Sequence, residues 1–107
     1  MKLPLCLICV AFPLLAMADP AEDFDRGYAL AQEKGCFDCH QLGSRDVGPS
    51  FRAIAQRYRY DVFNRRDLPI VIRGGGIGHW GERFAMWPQR QVTGEEARIL
   101  TEWVLAQ

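Results

Sequence analysis

The chain has 107 residues, enough for one compact domain. Thirteen Lys and Arg offset thirteen Asp and Glu, so no cationic excess exists to draw a polyanion, and nucleic acid is not an expected partner. A hydrophobic content of 49% with only six prolines argues against a disordered chain. In chain order the first feature is a leader. Met1-Lys2 is a short positive start, Leu3 to Leu15 is an uncharged apolar run of thirteen residues, and Ala16-Met17-Ala18 gives the small-x-small pattern cleaved before Asp19. A membrane-crossing helix needs about 20 apolar residues, and Pro4 and Pro13 interrupt this run. Residues 1–18 are therefore expected to be a cleaved export signal rather than an anchor, leaving residues 19–107 as a single domain without stable membrane insertion. Cys6 and Cys9 depart with the leader. The remaining 89 residues keep one cysteine pair (Cys36 and Cys39), two histidines (His40 and His79) and one methionine, Met86. A core of that size is marginal and commonly needs a staple, a metal or a cofactor.

Asp23 to Lys34 predicts a helix, with Phe24, Gly27, Tyr28 and Ala31 on one face and Gly35 as its stop. Pro49-Ser50 opens a short second helix through Phe51, Ile54, Ala55 and Tyr58. Asp67 suits the N-cap of a third, with Pro69 just inside and Leu68, Val71 and Ile72 following, until the glycine run from Gly74 to Gly78 ends it. Thr93 and Glu96 form a capping box. A last helix then runs to about Ala106, with Ala97, Leu100 and Val104 on one stripe and Ile99 and Trp103 beside it. No alternating strand pattern stands out. The expected class is all-α with long loops.

Cys36-Phe37-Asp38-Cys39-His40 carries the chemistry. A C-x-x-C pair in an exported protein could be a redox dithiol, half a zinc site or a short-loop disulfide. Zinc would want a second ligand pair, and no further cysteine survives cleavage. A thioredoxin-like motif wants a strand before it, whereas the preceding segment reads as helix. The histidine directly after the second cysteine fits another chemistry. Two thiols so spaced can form thioethers to the two vinyl groups of one haem, and the adjacent imidazole then reaches the iron.

In these and later residues the chain resembles the class I c-type cytochromes, particularly the small bacterial monohaem carriers. The resemblance spans nearly all of residues 19–107. It rests on the helix ending in Gly35-Cys36-x-x-Cys39-His40, on Val47-Gly48-Pro49, and on Arg73-Gly74-Gly75. Gly78-His79-Trp80-Gly81, Met86 ahead of Pro88, and a closing helix with Trp103-Val104-Leu105 complete it. The resemblance implies a cytochrome c fold of about four helices around one haem c attached through Cys36 and Cys39. It implies that the terminal helices cross, with Gly27 and Tyr28 against Leu100, Trp103 or Val104. It also implies that the Pro49 carbonyl accepts the Nδ1–H of His40, that Trp80 donates to a haem propionate, and that Arg73 helps neutralise the propionates. The chain departs from the family pattern in placing Trp87 between Met86 and Pro88, and in a slightly longer stretch from Trp80 to Met86.

His40 is the expected first axial ligand of the iron. For the sixth position the candidates are Met86, His79 and Lys34. A neutral thioether stabilises Fe(II) relative to a second imidazole, and the sole remaining methionine is the expected ligand. His79 is then a half-exposed loop residue near the haem edge. Charge is segregated along the chain: residues 19–46 carry 3 basic and 7 acidic side chains, residues 47–90 carry 8 and 3, and residues 91–107 carry 1 and 3. Arg52, Arg57, Arg59, Arg65 and Arg66 make the middle basic, which reads either as a docking patch for an acidic partner or as solvated helix faces. The expected function is a periplasmic electron carrier, not an enzyme, passing single electrons between a redox-protein donor and acceptor. Alternatives are a haem subunit of a larger dehydrogenase or oxidase, and a ligand-binding or peroxidase-like haem protein with a labile Met86.

Overall fold

A computed structural model describes residue 1, residues 9–17 and residues 19–107. The basic start and first part of the apolar leader (residues 2–8) and Ala18 of the cleavage pattern lie outside the described residues. Among the described residues, no helix is long and apolar enough to cross a membrane.

Helix α1 spans Pro20–Glu33 and begins three residues ahead of the sequence expectation. Asp19 explains the difference: its carboxylate accepts the Ala21 N–H at 2.9 Å, Pro20 stands in the first turn, and Glu22 and Asp23 favour the positive end of the helix dipole. The helix gives way to Gly35 at φ 80°, and a single 3-10 turn, Cys36–Asp38, follows at once. Helix α2, Phe51–Tyr58, is capped by Ser50, whose Oγ accepts the Ala53 N–H at 3.0 Å. Helix α4, Gly94–Leu105, starts with the expected capping box: Thr93 Oγ1 accepts from Glu96 N (3.2 Å) while Glu96 Oε2 accepts from Thr93 N (3.4 Å).

Helix α3 corrects the sequence reading. It spans Val62–Gly74, with its N-cap at Asp61 rather than Asp67 and with Pro69 in its interior. Asp61 Oδ1 accepts the N–H groups of Phe63 and Asn64, both at 3.1 Å, so the orphan donors of the first turn are satisfied six residues earlier. Pro69 deletes one ladder bond without ending the helix. The all-α expectation also needs an addition. Gly76–Gly78 (β1) and Gly81–Met86 (β2) form an antiparallel hairpin pairing Gly76 with Met86, Ile77 with Ala85 and Gly78 with Gly81, with an irregularity between Ile77 and Gly78. The fold remains mostly helical.

Helix α4 packs on α1, α2 and α3 in turn. Its buried face carries Ala97, Leu100, Thr101, Trp103, Val104 and Leu105, and the core is completed by Ala31, Phe51 and Val92. The α1–α4 crossing depends on Gly27, because any Cβ there would overlap Trp103 Cβ and lie 2.6 Å from its Cγ. The Trp103 ring sits at the centre of an aromatic cluster, 4.8 Å from Phe51, 6.0 Å from Phe37 and 6.1 Å from Tyr28, centroid to centroid. Those separations suit the edge-on contacts that aromatic quadrupoles favour. Lys34 and Glu96 seal the crossing at its edge: Lys34 Nζ lies 2.9 Å from Glu96 Oε2 and donates to the Gln91 carbonyl at 3.1 Å, and Gln91 Nε2 donates back to the Lys34 carbonyl at 3.1 Å.

Candidate functional site

A cavity of about 390 Å³ opens between the Cys36–His40 turn, α2, α3, the hairpin and α4. Cys36, Cys39, His40, Pro49, Trp80 and Met86 all line it. Between them the wall is apolar, with Phe51 and Ile54 from α2, Leu68, Val71 and Ile72 from α3, and Leu100 and Val104 from α4. A larger open groove of about 810 Å³ between α1, α3 and α4 is lined by none of Cys36, Cys39, His40, Trp80 and Met86, and its charges are largely paired, as in Arg65–Glu102 and Arg98–Glu95. The chemistry lies in the smaller cavity.

The turn after α1 sets the cysteines. Asp38 N donates to Gly35 O (3.1 Å), Cys39 N to Cys36 O (3.3 Å) and His40 N to Cys36 O (3.0 Å), so the five motif residues wind on themselves. Cys36 and Cys39 are not bridged to each other, which leaves both sulfurs to bond a third group. Burial pushes the Cys36 thiol up from its ordinary value. Among the described residues, no group of three or more His, Cys, Asp and Glu side chains is placed to hold a metal ion on its own.

His40 is fixed by one hydrogen bond. Its Nδ1 lies 2.7 Å from the Pro49 carbonyl oxygen. A carbonyl can only accept, so Nδ1 carries the proton and Nε2 keeps its lone pair for a metal. The segment supplying that carbonyl is itself tied back, through Gly48 N to Cys39 O (2.8 Å) and Phe51 N to Gln41 O (2.8 Å). The Phe51 ring stands 5.3 Å from the imidazole and limits its rotation.

The hairpin carries Trp80 and Met86, both half-buried. Trp80 is held from α2: its ring lies 6.0 Å from Tyr58 in an edge-on contact, and the Arg57 guanidinium sits 4.6 Å above it. Arg57 Nη1 also donates to the His79 carbonyl at 2.6 Å, joining α2 to the base of the hairpin. Across the loop after His40, Arg45 lies 4.1 Å from the Phe84 ring centroid. The basic character of Arg57 was legible in the sequence, but its place over Trp80 is a consequence of tertiary packing. His79 is exposed and borders the cavity, with its ring against Gly76. Arg73 departs from expectation. It does not line the cavity, and its Nε donates to the Val92 carbonyl at 3.1 Å, which turns the guanidinium toward the start of α4. That contact is decided by how α4 docks, which the sequence around Arg73 does not encode.

A largely apolar slot with two unbridged cysteines, an imidazole presenting Nε2 and a thioether on its lining fits an iron porphyrin joined through two thioethers. The comparisons agree. No protein-family model matches the chain. It is 37% identical over 81 residues to cytochrome c-551 of Azotobacter vinelandii, covering 76% of this chain and 96% of that protein. It is 38% identical over 79 residues to cytochrome c-552 of Hydrogenobacter thermophilus, covering 72% and 76% respectively. The crystal structure of wild-type Nitrosomonas europaea cytochrome c552 superposes with a TM-score of 0.68 at 33% identity, over 73% of this chain and 95% of that one. The chain belongs to the class I c-type cytochromes. Within them it stands with the small monohaem proteins, and it carries one haem c attached through Cys36 and Cys39.

Proposed function

We propose that this cytochrome is an exported single-electron carrier with His40 and Met86 as axial ligands, moving electrons between a redox-protein donor and acceptor without bond chemistry of its own. The observation that carries the reading is the 2.7 Å contact of His40 Nδ1 with the Pro49 carbonyl, in a cavity that Met86 also lines. The haem supplies a one-electron Fe(III)/Fe(II) couple.

The chain's own residues govern that couple. The proton held on His40 Nδ1 makes the imidazole a stronger donor through Nε2. The neutral thioether of Met86 favours the less charged ferrous state, as do the apolar side chains of Val71, Ile72, Leu100 and Val104, which exclude water. Trp80, braced by Tyr58 and Arg57, presents its indole at the cavity as a donor for a propionate. With His40 and Met86 both holding the iron, little would have to rearrange when the charge changes, which suits a carrier rather than a catalyst. Residues 1–18 form the export signal, with cleavage before Asp19 releasing the domain to the periplasm.

The test is a redox titration of the purified holoprotein beside Met86→Ala. A reversible one-electron wave is expected, and in Met86→Ala the potential falls and the ferrous form takes up carbon monoxide that the parent refuses. Carbon monoxide binding equally to both proteins would remove Met86 as a ligand and favour a ligand-binding role.

A further inference from the structure

We infer that Gly75 is the positioning residue for Met86: the end of α3 sets where the thioether sits, and it can do so only because position 75 has no side chain. The inference rests on the reading of Met86 as axial ligand. Gly75 adopts φ 70° and ψ −172°, a backbone conformation that L side chains rarely take. A Cβ built there would overlap the Met86 carbonyl oxygen and lie 2.8 Å from Trp87 C and 2.9 Å from Pro88 N. All three are backbone atoms, so none can swing aside as the tip of a side chain would.

The same seam is closed by hydrogen bonds on both sides of the contact. Gly75 N donates to Val71 O at 2.8 Å, holding the glycine to the last turn of α3. Gln89 N donates to Arg73 O at 2.9 Å, holding the chain just beyond Met86 to that same turn. Gly76 pairs with Met86 in the hairpin register. Helix α3 is in turn fixed on α4, through packing and through Arg73 Nε on the Val92 carbonyl. The backbone of Met86 is therefore referenced to the helical body of the protein, and the hairpin alone does not place it.

The neighbouring glycines supply the contrast. At Gly74 a Cβ would meet nothing within 4 Å. At Gly76 it would meet first the His79 ring, at 2.9 Å from Cδ2, and that ring belongs to an exposed side chain able to move. Gly78 has positive φ but open space around it. Among Gly74, Gly75, Gly76 and Gly78, Gly75 alone combines positive φ with backbone contact on the residues that carry and follow Met86.

The test compares holoproteins of the parent, Gly74→Ala and Gly75→Ala by the near-infrared sulfur-to-iron band of the ferric state, by carbon monoxide binding to the ferrous state, and by helical circular dichroism. Gly74→Ala is expected to match the parent in all three. Gly75→Ala is expected to keep its helical signal while losing most of the band and taking up carbon monoxide. A helical Gly75→Ala protein with the band at parental strength would overturn the inference; a parent lacking the band would instead overturn the reading of Met86, and the inference with it. Should Gly75→Ala not accumulate, the parent is titrated with guanidine while the band and the exchange protection of the Gln89 amide are followed. The two are expected to disappear together. An amide that opens first, with the band at full strength, would show that the seam does not hold Met86 and would overturn the inference.

Discussion

Trp103 occupies a position where every substitution is felt. It is 2% exposed, its Cβ and ring edge fill the space that Gly27 leaves open, and four other aromatic rings lie within 6.4 Å of its centroid. Among the described residues its buried Nε1 has no hydrogen-bond partner, a desolvation cost of about 1–3 kcal/mol that the ring's packing offsets. Trp103→Ala should lower stability by about 3–5 kcal/mol in guanidine unfolding of the holoprotein. Trp103→Phe should cost clearly less, because it keeps an aromatic body and removes the orphan donor. Equal losses in the two variants would mean that the ring's volume is not what the crossing needs. At this scale the sequence was informative where neighbours in the chain do the work. Cys36, Cys39 and His40 form their own turn, and Pro49 lies only nine residues beyond His40. It was uninformative where a side chain's direction is chosen by a distant element, as for Arg73 on Val92 and Arg57 over Trp80.

Helix ends divide in the same way. The capping box at Thr93 and the cap at Ser50 are local signals, and the structure follows them. Helix α3 offered two competing aspartates, and the proline after the second drew the boundary to the wrong one. Asp61 wins because the N–H groups of Phe63 and Asn64 both donate to it, while Asp67 lies inside the helix with its carboxylate on Arg66. The hairpin offers little alternation to read, because β1 is Gly-Ile-Gly and in β2 exposed and half-buried positions alternate only from Arg83 to Met86.

The α1–α4 seam also has a pH signature. The hydrogen bond and charge of Lys34 hold the Glu96 carboxyl below its ordinary value, and Glu96 in turn raises Lys34. A lowered carboxyl pKa contributes stability above the unfolded value and loses it as pH falls through the folded one. A raised lysine contributes below its unfolded value, 10.5, and loses it as pH climbs through the folded one. The backbone N–H of Asn64 lowers Asp61 likewise, with the same sign on the acid side. Stability should therefore be flat between the carboxylate and lysine ranges and fall on either side. In Glu96→Gln both limbs should be shallower when the melting temperature is followed against pH. A parental profile in that variant would show the seam to be energetically idle.

The molecule as a whole is built around a hollow. Helices α2, α3 and α4 and the hairpin meet across the haem cavity of about 390 Å³, a large space for a chain of 107 residues. Without the haem, the apolar side chains that line that space lack a packing partner. Replacing both attachment thiols, Cys36→Ala with Cys39→Ala, should abolish cooperative unfolding and most helical circular dichroism. A cooperative melt near the parental temperature would show that the helices close without the covalent group. The basic middle of the chain also looks different in three dimensions. Arg65 is paired with Glu102, whereas Arg57, Arg59 and Arg73 keep their charge and are held in place by backbone carbonyls, so the basic groups are less free to reorient than the sequence suggests.

One spectrum bears most directly on the electron-carrier reading. The ferric holoprotein at neutral pH should show the weak near-infrared band of a thioether sulfur on iron, and its ferrous form should refuse carbon monoxide. A ferric protein without that band, binding carbon monoxide readily once reduced, would mean an open iron and a function other than simple electron carriage.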